Sequence, residues 1–269
     1  MIDDWDDAYA NGEYIDGADA FPPRWEAAAS AFRESLGERA GIDRSYGAGP
    51  RNRFDLFAPQ TPPIGLVVFV HGGYWRRFDK SIWSHLAAGP LERGWAVAMP
   101  SYTLAPAARI SAITVEVARA VQAAASRVAG PIRLIGHSAG GHLVSRMICD
   151  PTPLPSGIAA RIEKVVSLSG VHDLRPLLRT KINDDLKLDA AEAAAESPAL
   201  LKPREGAEVV CWVGADERPE FVRQNALLAN VWTGLGATTA CVEDEGRHHF
   251  DVIEGLEEAE SGLTNALLG

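Results

Sequence analysis

Short, largely apolar runs recur along this chain, and each is followed by glycine, proline or polar residues. A run that is apolar at nearly every position predicts a strand covered on both faces, as in a parallel sheet. The clear runs are Leu66–Val70, Ala96–Met99, Ile132–Ile135, Val165–Leu168 and Val209–Val213, with a weaker one at Thr238–Val242. The pattern predicts a mostly parallel central sheet.

Helical patterns occupy the intervals between these runs. Ile110–Val128 is long and alanine-rich, and 221–235 places its large apolar residues on one helical face. Two more helical stretches are predicted, over Arg24–Arg39 and over Phe250–Leu267. Alternation of strands with such helices predicts an α/β fold with helices on both faces of the sheet.

The beginning of the chain has a different character. Arg44–Tyr46 and Arg53–Phe57 flank a turn at Gly47–Pro50, which predicts an antiparallel hairpin. Residues 1–43 are predicted to form a helical extension ahead of it. With 269 residues and 46% hydrophobic content, the chain is long enough to bury a substantial core. Residues 1–269 are expected to form a single domain.

Charge and hydropathy exclude several classes of function. The formal net charge of -10 argues against nucleic acid as a partner and against an anionic membrane surface. Met1–Asp7 holds four aspartates and no basic residue, so it does not resemble a secretory leader. No apolar run approaches the roughly 20 residues that a membrane span needs. We therefore expect a cytoplasmic protein that binds neither membrane nor nucleic acid.

Cysteine and histidine usage gives no sign of a metal or disulfide framework. Cys149, Cys211 and Cys241 are few and scattered, and no C-x-x-C pair occurs. No set of histidines has metal-ligand spacing. The sequence predicts no metal and no cofactor.

The sequence Gly136-His137-Ser138-Ala139-Gly140 directly follows a predicted strand and precedes a helical stretch. A serine hydroxyl is a weak nucleophile unless a sharp turn presents it to a base and an oxyanion site. A strand–turn–helix elbow supplies that presentation, and its glycines relieve crowding. The alternative is a glycine-rich helix start without chemistry. The context favours Ser138 as a catalytic nucleophile.

A second glycine-containing loop, His71-Gly72-Gly73-Tyr74-Trp75, follows the run Leu66–Val70. Adjacent glycines can turn backbone N–H groups toward a developing oxyanion, and the amide of Ala139 would supply another donor. The alternative is an ordinary turn at the end of a strand. Beside the serine elbow, Gly72, Gly73 and Ala139 are the predicted oxyanion hole.

Two aspartates compete for the role of the catalytic acid. Asp216 follows the run Val209–Val213, and Asp173 follows the preceding run. Asp216 could instead cap a helix, a role aspartate often fills. Asp216 is preferred because it holds the usual acid position in the chain order Ser, acid, His. His248-His249 completes that order, and only one of the two can be the base.

Together these residues resemble the kynurenine formamidase (arylformamidase) branch of the α/β-hydrolases, which is related to hormone-sensitive-lipase-like esterases. The resemblance rests on four motifs and extends to Tyr46-Gly47 and 55–59. The motifs are His71-Gly72-Gly73-Tyr74-Trp75, Gly136-His137-Ser138-Ala139-Gly140-Gly141-His142, Gly214-Ala215-Asp216-Glu217 and His249-Phe250-Asp251. His172 departs from the family pattern, since an aromatic is usual there.

The resemblance implies an α/β-hydrolase fold with a catalytic triad of Ser138, Asp216 and His249. It also implies a small lid, for which 171–204 is the available segment. The implied activity is arylformamidase, with a short-acyl carboxylesterase as the alternative. A catalytically silent hydrolase fold that acts as a binding module is a third hypothesis.

Three aromatic residues after the oxyanion loop, Tyr74, Trp75 and Phe78, are candidate walls of the substrate pocket. Their alternative role is plain packing beneath the N-terminal segment. The expected partner is a small ester or amide substrate. The sequence leaves a homodimer open.

Overall fold

The sheet alternates its side chains between two cores. In the computed structural model, which describes residues 2–269, the strands are β1 Ala40–Ser45, β2 Arg53–Phe57, β3 Leu66–Val70, β4 Ala96–Pro100, β5 Ile132–His137, β6 Cys149–Asp150, β7 Ile162–Leu168, β8 Lys202–Pro203, β9 Glu208–Gly214 and β10 Thr238–Asp244. Val68 and Val70 of β3 lie in one core, and Val67 and Phe69 lie in the other. This period of two is what a strand covered on both faces requires.

Eight of these strands form one sheet in the order β1-β2-β4-β3-β5-β7-β9-β10. The β1–β2 and β2–β4 pairs are antiparallel, and the remaining pairs of this sheet are parallel. β6 and β8 form a separate antiparallel pair. The predicted mostly parallel sheet with an antiparallel N-terminal pair is confirmed.

Helices cover both faces of the sheet, as predicted. Their bounds are α1 Trp5–Ala8, α2 Phe21–Leu36, α3 Ala88–Glu92, α4 Ile110–Ala125, α5 Ala139–Arg146, α6 Ser156–Ala159, α7 Asn183–Leu186, α8 Ala190–Ala195, α9 Pro219–Thr233 and α10 Gly262–Leu268. The apolar sides of α4, α5 and α9 share a core with Val68. Those of α2, α3 and α10 share a core with Val67.

Several predicted boundaries shift for physical reasons. α2 begins three residues earlier than expected, with Pro22 and Pro23 in its first turn, where the missing N–H has no partner to lose. The weak run at 238–242 forms a full parallel strand against β9. The prediction of one helix over 250–267 is wrong. Turns and a 3-10 helix at Glu254–Glu257 come first, and α10 begins at Gly262.

Candidate active site

Ser138 lies at a sharp turn between β5 and α5. Its backbone has φ 55° and ψ -118°, and the helix begins at the next residue. The chain can turn this tightly because Gly140 has no side chain. A Cβ there would lie 1.9 Å from the carbonyl oxygen of Val70. The predicted strand–turn–helix elbow is present, and it holds Ser138, which is 2% exposed, at the carboxyl end of the sheet.

The loop after β3 approaches this serine closely. A Cβ at Gly72 would lie 2.8 Å from the Cβ of Ser138, so only glycine fits there. The loop is fixed from behind by Tyr102, which donates a 3.0 Å hydrogen bond to the His71 carbonyl. Burial lowers the pKa of His71 to about 4, so its ring is neutral near pH 7. Gly72 and Gly73 both line the cavity that contains Ser138.

Three backbone amides beside the serine are available as donors. Among residues 2–269, the amides of Gly72, Gly73 and Ala139 have no intramolecular acceptor. Ala139 is also the first residue of α5, where unpaired N–H groups favour a nearby negative charge. The arrangement can stabilise negative charge on a bound carbonyl oxygen.

His249 is paired with a carboxylate, and that carboxylate is Glu217. The Nδ1 atom of His249 lies 2.6 Å from Oε2 of Glu217, whose side chain is 0% exposed. Phe221 packs against the imidazole with its ring centroid 4.7 Å away. A buried carboxylate at Nδ1 fixes the orientation and the tautomer of the ring.

The preference for Asp216 as the partner of His249 is therefore wrong. Asp216 is exposed, on the solvent side of the turn that carries Glu217 inward. The rival, Asp173, is held by Arg175, whose Nη2 lies 2.8 Å from Oδ2 of the carboxylate. Neither aspartate contacts the imidazole.

Glu217 is itself held by two donors. Its Oε1 atom accepts a 3.0 Å hydrogen bond from the amide of Gly214 and a short one from the hydroxyl of Ser169. Ser169 follows β7 directly and has a left-handed backbone conformation, with φ 54°. Three neighbouring strand ends thus supply the serine elbow, the hydroxyl on the carboxylate and the carboxylate itself, as expected for a parallel sheet.

The other histidines near the site have supporting positions. The Nε2 of His137 lies 2.9 Å from the carbonyl oxygen of His249, which fixes the loop carrying that residue. Burial holds the pKa of His137 well below its usual range, so the ring is neutral and donates this bond. His248 is half-buried and pairs with Asp251 at 3.1 Å. His172 lies in the core, with Nε2 3.1 Å from the Ser167 hydroxyl.

A cavity of about 370 Å³ contains Ser138 and His249. Aromatic side chains form much of its wall: Tyr9, Trp25, Tyr74, Phe78, Trp83 and Phe250. Tyr74 and Phe78 therefore line this cavity. Trp75 does not, because it is 0% exposed and packs edge-on against His142 at a centroid distance of 5.1 Å.

The cover of this cavity comes mainly from the N-terminal extension. Residues 9–13 and Asp6 line it, whereas the segment 171–204, predicted to be the lid, contributes Ile182. Hydrogen bonds of Tyr9 connect the extension to the rest of the protein. The Tyr9 hydroxyl donates to Glu220 at 2.9 Å, and the Tyr9 carbonyl accepts from the Tyr74 hydroxyl at 2.6 Å.

Residues 2–269 contain no group of three or more His, Cys, Asp or Glu side chains arranged to hold a metal ion. None of the helices in this part of the chain combines the length and apolar character that crossing a bilayer requires.

Comparison with known proteins places the fold in a family. A sequence model of the alpha/beta hydrolase family matches residues 67–254, and the chain belongs to that family. It is similar to the kynurenine formamidase of Salmo salar, with 29% identity over 89% of this chain and 86% of that protein. The kynurenine formamidase of Danio rerio is 27% identical over 84% of this chain and 80% of its own. The resemblance to this branch is confirmed.

A solved structure from Silicibacter sp. tm1040 is similar over the whole chain. It is 53% identical, covers 99% of both chains and superposes with a TM-score of 0.95. That protein is described provisionally as a thioesterase. Hydrolysis of a carbonyl derivative is common to the activities named for all three relatives.

Proposed function

We propose that this chain is a serine hydrolase in which Ser138, His249 and Glu217 form the catalytic triad. The observation that carries the proposal is the buried His249–Glu217 pair, whose imidazole lines the cavity that contains the elbow serine. Because Nδ1 of His249 is occupied by Glu217, Nε2 is the nitrogen left to take the proton of Ser138. The amides of Gly72, Gly73 and Ala139 are the proposed oxyanion donors.

In the proposed reaction, Oγ of Ser138 attacks the substrate carbonyl carbon as its proton passes to His249. The bond from carbon to the leaving amine or alcohol then breaks, and His249 returns the proton to the leaving group. Water hydrolyses the resulting acyl-serine by the same route in reverse. Glu217 stabilises the imidazolium in both halves of the cycle.

The substrate class we propose is an aryl formamide of the N-formyl-kynurenine type. Similarity to two kynurenine formamidases over most of the chain supports it. The aromatic wall supports it independently, because rings such as Tyr74 and Phe78 can stack on an aryl leaving group. A cavity of about 370 Å³ matches a small substrate.

A short-acyl esterase is the second candidate. The Silicibacter relative, described provisionally as a thioesterase, favours it, because a thioester or ester would use the same serine chemistry. A catalytically silent binding module is the third. An active-site serine probe separates it from the other two, since a silent module would not be labelled.

We expect the acyl group to be short. Each added methylene is worth about 0.8 kcal/mol where it can be buried, so an enzyme built for long chains gains efficiency with chain length. Here kcat/KM should fall beyond about four acyl carbons, because a cavity of about 370 Å³ leaves little room for a longer chain beside the leaving group. The measurement is kcat/KM for p-nitrophenyl esters from acetyl to decanoyl, beside N-formyl-kynurenine.

Efficiency that rises through the octanoyl ester would contradict the short-acyl proposal. Rapid cleavage of short esters without formamide hydrolysis would remove the arylformamidase proposal and leave the esterase one.

His248→Ala should reduce kcat/KM by less than about tenfold, since a residue outside the reacting groups acts only by placing its neighbour. His248 pairs with Asp251 and so supports the loop that carries His249. The contact with Glu217 is made by Nδ1 of His249. Steady-state kinetics on the purified variant provide the test. A loss of several thousandfold would mean that the two histidines have been assigned the wrong way round.

A further inference from the structure

Asn11 is a buried amide without a partner. It begins the short 3-10 helix Asn11–Tyr14 and is 6% exposed. Among residues 2–269, neither its Nδ2 nor its Oδ1 has a hydrogen-bond partner. Burying a carboxamide without hydrogen bonds is costly, so an unpaired one in a native protein calls for an explanation.

The position of Asn11 supplies one. It lines the cavity that contains Ser138 and His249. Two anchors flank it in the chain. On one side Tyr9 bonds to Glu220 and Tyr74. On the other side Ile15 is buried. Asn11 is therefore held at the wall of the catalytic cavity before a ligand binds, and its side chain loses little freedom when one does.

We propose that Asn11 is a specificity-determining residue whose carboxamide hydrogen-bonds the substrate and favours an amide over an ester. A carboxamide offers both donors and an acceptor. An amide substrate can satisfy both, whereas an ester has no N–H and leaves Oδ1 of Asn11 unpaired. Sites built to bond a substrate N–H discriminate strongly against analogues that lack it. This inference rests on the proposed formamidase function.

The competing role for Asn11 is structural. It also borders a cavity of about 10 Å³ with Glu217 and His249, about the size needed for one buried water. If Asn11 served only to bind such a water, its replacement would reduce stability and would affect all substrates equally.

Asn11→Leu separates the two roles, because leucine has nearly the shape of asparagine and no polar atoms. We expect kcat/KM for N-phenylformamide to fall about 10- to 100-fold and that for phenyl formate to fall less than about threefold. The melting temperature should be unchanged or higher, since the variant buries no unpaired amide. Equal losses for the two substrates, or a lower melting temperature, would overturn the inference.

Asn52→Leu is the matched control. Asn52 is also buried, but it accepts a 3.0 Å bond from the amide of Gly49 and donates to the hydroxyl of Tyr46 at 3.3 Å. This variant should lower the melting temperature and leave the ratio of amide to ester kcat/KM unchanged. It shows what the loss of a bonded asparagine does to this fold.

Binding to a Ser138→Ala background keeps this test separate from the proposed function. Adding Asn11→Leu to Ser138→Ala should weaken binding of N-phenylformamide about tenfold or more by calorimetry. If the wild-type chain cleaves no formamide but this weakening is seen, the proposed function fails and the role of Asn11 stands. Equal affinity of the Ser138→Ala protein and the Ser138→Ala, Asn11→Leu protein for N-phenylformamide would overturn the role of Asn11 alone.

Discussion

Ser138→Ala is expected to lower kcat by about 10⁴- to 10⁶-fold, with the fold unchanged, because removing a triad nucleophile leaves only oxyanion and binding contributions. The turn that holds Ser138 does not depend on its hydroxyl. Its backbone amide bonds to the carbonyl of Leu168 at 2.8 Å, and the tight approach is made by Gly140. The measurement is kcat with the best ester or formamide substrate, beside the melting temperature.

Ser145→Ala is the matched control for this variant. Ser145 is a buried serine on the same helix, and its hydroxyl donates to the carbonyl of Gly141 at 2.8 Å. It should keep near wild-type kcat. A folded Ser138→Ala protein that retained most of its activity would show that the nucleophile lies elsewhere.

Glu217→Gln should lower kcat by roughly 10⁴-fold, since an acid replaced by its amide favours the wrong tautomer of the histidine. In this variant the glutamine side chain keeps the size of Glu217 but removes the charge 2.6 Å from Nδ1 of His249. Asp216→Asn is the control within the same turn. Because Asp216 is exposed, asparagine at this position should leave kcat within about twofold of the wild type, as is usual for surface positions away from a site.

The two variants together locate the acid. Steady-state kinetics on both, with melting temperatures to confirm folding, give the comparison. A nearly inactive Asp216→Asn protein beside an active Glu217→Gln protein would overturn the proposal that Glu217 is the acid of the triad.

Sequence patterning predicted the sheet and the serine elbow because both are encoded locally. The apolar runs indicate strands covered on both faces, and Gly136-His137-Ser138-Ala139-Gly140 marks the turn between one of them and a helix. The same local reasoning located Gly72, which lies against Ser138 in the fold. Because the strands and the elbow depend on residues that are neighbours in the chain, one sequence is sufficient to predict them.

The sequence predicts the acid one residue away from the carboxylate that contacts His249, because the position of that carboxylate depends on a turn. Asp216 and Glu217 are adjacent, and composition cannot show which of two neighbouring carboxylates faces inward. In the fold, the amide of Asp216 bonds to the carbonyl of Arg247, and that of Glu217 bonds to the carbonyl of Gly214. This turn exposes the first side chain and buries the second. Ser169, which holds Glu217, gave no sequence signal because it follows a different strand.

The pocket wall was only partly predictable for a similar reason. Tyr74, Trp75 and Phe78 all have positive φ values, of 49°, 56° and 72°. The chain therefore twists sharply at these positions, and Trp75 turns into the core while Tyr74 and Phe78 face the cavity. The N-terminal cover is made of short, irregular elements whose placement depends on the distant contact of Tyr9 with Glu220. No periodic pattern indicates such a contact.

The most direct test of the proposed triad is labelling by a fluorophosphonate probe, followed by mass spectrometry of the peptides. We expect a single adduct on Ser138, formed at the same rate in the wild-type and Asp216→Asn proteins. In the Glu217→Gln protein, labelling should be slower by roughly a thousandfold or more, because the acid supports the base that activates the serine. An adduct on another residue, or equal labelling rates in the Glu217→Gln and wild-type proteins, would contradict the proposed triad.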